Sequence, residues 1–155
     1  MGRRAAGVGF ALRLDVAKAA GLVCGPLVFE EAGRGPGGET GPRPVQPERL
    51  GDVVLARKDV PASYHLAVTV DDALQGVTLV TRGADLVPAT DIHRLLQALL
   101  DLPVPDYRQH GLLTDPSGRR LAKRDRAATI RALRESGHGP AQVREMAGFP
   151  DQPRN

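Results

Sequence analysis

The chain has 155 residues, 41% hydrophobic and 25% charged, with a single cysteine, no tryptophan and aromatics at only 3%. That is enough chain for one domain with a real core, built from Leu, Val, Ile and Ala. One thiol excludes an intramolecular disulfide framework and a cysteine-based zinc cage, and no stretch approaches the ~20 apolar residues of a membrane span. The formal net charge is +3. By itself that is a weak pointer to nucleic acid; its distribution says more, as shown below. Arg3 and Arg4 precede a short apolar run without a signal-peptide core, so a cytoplasmic location is expected.

In chain order, Phe10, Leu12, Leu14 and Val16 alternate with other residues and predict a strand. A second short strand is expected at Pro26 to Glu30. Between Gly33 and Pro47, nine of fifteen residues are Gly or Pro. A loop over 32–48 is expected there, since neither a helix nor a central strand survives that composition. Order resumes with a β-rich segment from Asp52 to Arg57. The segment from Ser63 to Leu74 is ambiguous between helix and buried strand. Residues 77–82 read as a buried strand closed by Gly83.

Asp85 to Leu100 is the clearest helix. Ile92, Leu95, Leu96 and Leu99 share one apolar face, Thr90 or Asp91 is placed to cap the regular part, and Pro88 is tolerated near the start. A strand from Tyr107 to Leu113 follows, then a turn from Thr114 to Gly118 and two short helices, about 126–136 and 140–146. This order is α/β. Strand 77–82, helix 85–100 and strand 107–113 fit one right-handed crossover in a parallel sheet, whose ligands sit at the carboxyl ends of its strands. Arg82 and the loop after Leu113 both lie at that end.

Two groups of residues carry chemistry. From Ser117 to Arg134 there are seven basic residues, with Asp125 the one acid. Concentrated positive charge suits polyphosphate or an RNA backbone, and equally a solvated loop and helix face. Arg82 ends a buried strand, where a guanidinium is costly without a partner. A bidentate carboxylate would satisfy it; so would an ion pair with Asp71, Asp72 or Asp85. Tyr64 offers a hydroxyl at the edge of an apolar segment. His65, His93, His110 and His138 are too dispersed to suggest a metal cluster and read as packing or surface residues. Cys24 reads as a small buried apolar residue.

Residues Arg120 to Arg124 (RLAKR), following LLTDPSG, resemble the KMSKS signature of class I aminoacyl-tRNA synthetases. Arg120 stands for the first lysine and Ala122 for the serine, so charge is kept and a hydroxyl is lost. SYHLAVTVDDALQGVT from Ser63, followed by TRGADL from Thr81, resembles the amino-acid-binding region of the glutamyl-tRNA and glutamyl-queuosine synthetases. Together the two motifs cover roughly 51–125. Val68 stands where the tRNA-charging relatives commonly carry Asn, which favours the queuosine branch.

The resemblance implies the C-terminal half of a Rossmann-like catalytic domain spanning 1–155, with its signature loop at 120–124 and C-terminal helices over 126–147. It implies that Tyr64 and Arg82 contact the substrate glutamate and that Lys123 contacts the phosphates of ATP as the catalytic cation. Asp71 and Asp72 would be structural. The implied reaction forms glutamyl-adenylate from glutamate and ATP, with Mg2+ accompanying the nucleotide. The glutamyl group then passes to queuosine of tRNA(Asp). The complete enzyme is expected to be a monomer with no membrane partner. The family's zinc site and HIGH-type motif have no equivalent here, so the chain is expected to be incomplete and weakly active or inactive alone. The alternatives are a fragment of an ordinary glutamyl-tRNA synthetase, a non-catalytic tRNA-binding remnant, and a segment that folds only with a separately encoded N-terminal half.

Overall fold

The computed structural model describes residues 10–114, 117, 118, 121 and 129–149. The chain divides into two compact units, Met1–Gly111 and Leu112–Asn155. In the first, a two-stranded antiparallel sheet pairs β1 (Leu12–Leu14) with β4 (Val53–Ala56). A four-stranded mixed sheet has the order β3 (Gly41–Pro44), β2 (Val28–Glu31), β6 (Asp106–His110), β5 (Leu79–Gly83). Strand β2 runs antiparallel to β3 and parallel to β6, and β5 is parallel to β6. The α/β fold and the β5–helix–β6 parallel crossover therefore follow the sequence reading.

The crossover helix α3 (Val87–Leu99) is preceded by a 3-10 turn (Ala84–Leu86) and carries Pro88 in its first turn, where the missing N–H costs nothing. Its apolar stripe is the core. Ile92, Leu95 and Leu96 pack with Val16 and Ala19 of α1 (Val16–Ala20) and with Val53 of β4. Thr90 and Asp91 are not the cap: both are buried within the helix, and Leu86 occupies the cap position without a side-chain hydrogen bond. Thr90 instead returns its hydroxyl proton to the Leu86 carbonyl, 3.2 Å away.

Several local expectations are corrected. The strand from Phe10 stops at Leu14 because Asp15 caps α1, its carboxylate accepting from the Lys18 N–H at 3.0 Å. Within the Gly/Pro-rich segment, Gly41–Pro44 forms β3 and Pro47–Leu50 a 3-10 helix. Prolines 42 and 44 are tolerated because β3 is an edge strand, where a missing N–H interrupts no second ladder. The ambiguous segment is a helix, α2 (Tyr64–Leu74), started by Ser63 Oγ accepting from the Leu66 N–H. Strand β6 ends at His110, short of the expected Leu113, one residue before the first unit closes. Cys24 is exposed in the connection between α1 and β2, outside the core.

In the second unit, α4 (Ile130–Glu135) is capped by Thr129 Oγ1, which accepts from the Ala132 N–H at 3.1 Å. Gly137, at φ 90°, turns the chain into α5 (Pro140–Met146). Arg131 and Arg134 are exposed, as a solvated helix face requires.

Candidate functional site

The inner face of the four-stranded sheet changes character along its strands. Alternation buries Phe29 then Glu31 on β2, and Tyr107 then Gln109 on β6. On β5 the paired positions are Val80, opposite Tyr107, and Arg82, opposite Gln109. Aromatic packing therefore fills the lower layer, with the Phe29 and Tyr107 rings edge to face at 5.2 Å. The layer at the carboxyl ends is polar, which is where parallel sheets bind ligands.

Arg82 is the centre of that layer and is only 6% exposed. Its Nη1 donates to Thr90 Oγ1 at 3.3 Å and to His93 Nδ1 at 3.1 Å. Its Cζ lies over the Tyr107 ring, 5.0 Å from the centroid. Its Nε has no hydrogen-bond partner among the described residues. All three groups that hold this cation are neutral. Asp71, Asp72 and Asp85 are not among its hydrogen-bonding partners, so an ion pair with one of them is not how the charge is satisfied. The guanidinium is thus buried, oriented and without an ion-pair partner among the described residues, a state that favours an anionic ligand.

The surrounding groups hold this arrangement. Gln109 Nε2 donates to Thr90 Oγ1 at 3.4 Å, and Gln97 Nε2 donates to the Tyr107 hydroxyl at 3.1 Å. Burial pushes the Tyr107 hydroxyl pKa up, keeping it neutral. Glu31, 2% exposed, accepts through Oε1 from the backbone N–H groups of Gly33 (3.0 Å) and Gln109 (3.1 Å), pinning the end of β2 to β6.

Helix α2 supplies the opposite wall. His65 Nδ1 is 3.1 Å from His93 Nε2, so α2 and α3 are joined side chain to side chain. Tyr64, half exposed, sets its ring edge to face with that of His93 at 5.5 Å. The structure therefore gathers Tyr64 and Arg82, the two expected glutamate contacts, around one imidazole. The third expected site residue, Lys123, lies outside the described residues, as do Arg120, Ala122 and Arg124.

Sequence reasoning missed His65 and His93 as partners. They are 28 residues apart on different helices, and no spacing rule joins them. The signal available was weaker: a histidine next to Tyr64, and another on the polar flank of the helix that follows Arg82. Among the described residues no group of three His, Cys, Asp or Glu side chains is placed to hold a metal ion, and no helix is long and apolar enough to cross a membrane.

Comparison with known proteins places these observations in a family. Residues 41–148 match the model for tRNA synthetases class I (E and Q), catalytic domain. The chain is 53% identical over 120 residues to the glutamyl-Q tRNA(Asp) synthetase of Rhodobacter capsulatus, covering 72% of this chain and 43% of that protein. It is 46% identical over 106 residues to the same-named protein of Nocardia farcinica, covering 66% and 34%. Among solved structures it resembles the glutamate-tRNA synthetase of Elizabethkingia anophelis, with TM-score 0.52 and 25% identity over 74% of this chain and 21% of that one. It also resembles a glutamate tRNA ligase from Elizabethkingia meningosepticum in complex with its amino acid, with TM-score 0.53 and 26% identity over 75% and 21%. The chain thus spans less than half the length of each of these relatives.

Proposed function

This chain belongs to the class I tRNA synthetases (E and Q), catalytic domain, and on that premise we propose that it forms the C-terminal part of a glutamyl-Q tRNA(Asp) synthetase active site. Its role is to bind glutamate for activation by ATP, in the cytoplasm, ahead of transfer to queuosine of tRNA(Asp). The observation that carries this reading is the buried guanidinium of Arg82 at the carboxyl end of β5, without an ion-pair partner among the described residues. A carboxylate is the ligand that matches a planar cation held only by neutral groups. Tyr64, joined to the same imidazole and half exposed, is the second contact.

In the first step a carboxylate oxygen of glutamate attacks the α-phosphate of ATP and pyrophosphate leaves. In the second, a hydroxyl of the acceptor attacks the activated carbonyl and adenylate leaves. Arg82 and Tyr64 contribute by binding and orienting glutamate, which converts a collision into a positioned encounter. Lys123 is assigned to the ATP phosphates by its place in the signature loop. Mg2+ would arrive on the nucleotide; the described residues offer no cluster for it, and no step is routed through a protein-held metal. Identities of 53% and 46% to proteins named glutamyl-Q tRNA(Asp) synthetase support queuosine as the acceptor.

The test is glutamate titrated into the 155-residue chain, followed by backbone amide NMR. Shifts should concentrate on β5, α2 and the start of α3, should be absent with glutamine, and should vanish in Arg82→Ala. Saturable shifts that persist in Arg82→Ala, or no shifts at all, overturn the site assignment. In the second arm, the portion of the Rhodobacter relative that this chain does not match is added, and glutamate-dependent exchange of pyrophosphate into ATP is measured. We expect the added portion to raise the exchange well above that of this chain alone.

A further inference from the structure

We propose that His93 is a positioning residue for Arg82, and that the His65–His93 pair ties this guanidinium to the helix carrying Tyr64, so that one hydrogen-bonded chain sets both groups. The value of that arrangement rests on the glutamate reading above, but the arrangement itself can be tested separately.

The donor and acceptor roles leave one solution. Arg82 can only donate, so His93 Nδ1, 3.1 Å from Nη1, carries no proton. A neutral His93 must then carry its proton on Nε2, and that proton points at His65 Nδ1, 3.1 Å away. His65 Nδ1 therefore accepts, and the neutral His65 is protonated on Nε2. The order Arg82 to His93, and His93 to His65, is a chain in which every donor has an acceptor. The opposite tautomer of His93 would set a proton against the guanidinium, which has no acceptor to offer it.

A neutral acceptor at position 93 does what a carboxylate there would not. An Asp or Glu would hold the guanidinium and cancel its charge; the imidazole holds it and leaves the charge for a ligand. Burial, reinforced by the charge of Arg82, pushes the His93 pKa down to about 3, which keeps the ring in the state that the geometry requires. Thr90 supplies the second acceptor for the same Nη1, and its own proton is already given to Leu86. The fork is therefore oriented from one side. On the other side of the pair, Tyr64 rests against both imidazole rings, with centroids 5.7 Å from His65 and 5.5 Å from His93.

The experiment is side-chain 15N NMR on the 155-residue chain, with a glutamate titration alongside. His93 and His65 should both show protonated Nε2 and bare Nδ1, and Arg82 should show hindered guanidinium rotation. In His93→Asn the amide oxygen takes the place of Nδ1 while the Nε2 link to His65 is lost, so the hindered rotation should survive and glutamate affinity should fall only by the share that the link to α2 contributes, about three-fold. In His93→Leu the rotation should become free, and glutamate binding should weaken by about ten-fold or more, the effect of losing a hydrogen bond to a charged group. An Nδ1-protonated His93 in the parent chain, or hindered rotation that persists in His93→Leu, overturns the proposal. The tautomer measurement needs no variant, so misfolding of the leucine variant leaves the test intact. Failure of glutamate to bind the parent chain counts against the function proposed above. The tautomers and the guanidinium rotation then still decide the positioning role.

Discussion

Arg82 and His93 meet through Nη1 and Nδ1 at 3.1 Å, one from the end of β5 and the other from the second turn of the helix that follows. A buried cation is thereby held by a group that does not neutralise it. The first prediction concerns geometry rather than charge. Lysine at position 82 would keep the charge, but as a single point on a flexible stem that cannot serve Thr90, His93 and a ligand carboxylate together. Arg82→Lys should weaken glutamate binding by about ten-fold to a hundred-fold. Isothermal titration of glutamate into the two chains checks it, and equal affinities would show that charge alone suffices.

The second prediction is a stability profile. The His93 pKa lies at about 3 in the folded chain against an ordinary 6.5, chiefly because the ring is buried, and that of His65 is lowered for the same first reason. The unfolded chain therefore binds more protons at mildly acid pH. The stability conferred by the neutral rings is fully present above the unfolded pKa and is lost as pH falls toward the folded one. Each pH unit below about 6 should remove about 1.4 kcal/mol for each histidine that stays neutral only when folded. Asp91 acts in the opposite sense at lower pH, because burial raises its pKa. The histidine signal is thus read from urea midpoints between about pH 7.5 and pH 5.5. A profile that is flat in that window in the parent chain, or equally steep in His93→Asn, would count against the assignment.

Glu31 anchors the polar layer. Its Oε1 accepts two backbone N–H groups, and the residue is 2% exposed. Glu31→Ala leaves the buried Gln109 N–H and the half-buried Gly33 N–H unsatisfied, which should cost about 2 to 4 kcal/mol. Glu31→Gln keeps an oxygen for them and should cost less. Urea unfolding of the two variants checks the order, and a reversed order would mean that the carboxylate charge matters more than the two hydrogen bonds.

Leu95 is fully buried on the face of α3 opposite the site, within the cluster of Val16, Val53 and Ile92. Leu95→Ala should cost about 2 to 5 kcal/mol, the usual range for a cavity left by a buried leucine. Because the same helix carries Thr90 and His93, glutamate affinity should also fall as the helix loosens, and thermal melts read beside the titration show whether the two losses track one another. A loss below about 0.5 kcal/mol would mean that this core can collapse around the gap.

Much of this was legible in the chain itself. Helix α3 announces itself through Ile92, Leu95, Leu96 and Leu99, because an apolar stripe of helical period has one way to be buried. Strand β5 reads from its apolar run, and the parallel pairing with β6 follows from the intervening helix, but the strand lies at the sheet edge with only Arg82 buried, so the burial expected of it is not found. Tyr64 and Arg82 were singled out through a motif resembling that of the glutamate-activating synthetases, while the position of Arg82 at a strand end left a ligand carboxylate and an ion pair both open. The short helix α1 was not legible, since five residues are too few to show a period and its start depends on Asp15 closing a cap. Strand β3 was hidden by Gly and Pro, whose aversion to sheets holds for central strands and lapses at an edge.

By itself the sequence determined the class of fold, the core helix, and the two residues proposed for glutamate, because hydrophobic period and short motifs are local properties. What surrounds Arg82 was decided only by tertiary structure. His65, Thr90, His93, Tyr107 and Gln109 come from two helices and a strand, and they become neighbours only once β5, α3 and β6 pack and α2 lies against α3. Whether a buried guanidinium is neutralised or left free for a ligand depends on the atoms within about 4 Å of it. Sequence separation carries no information about that distance.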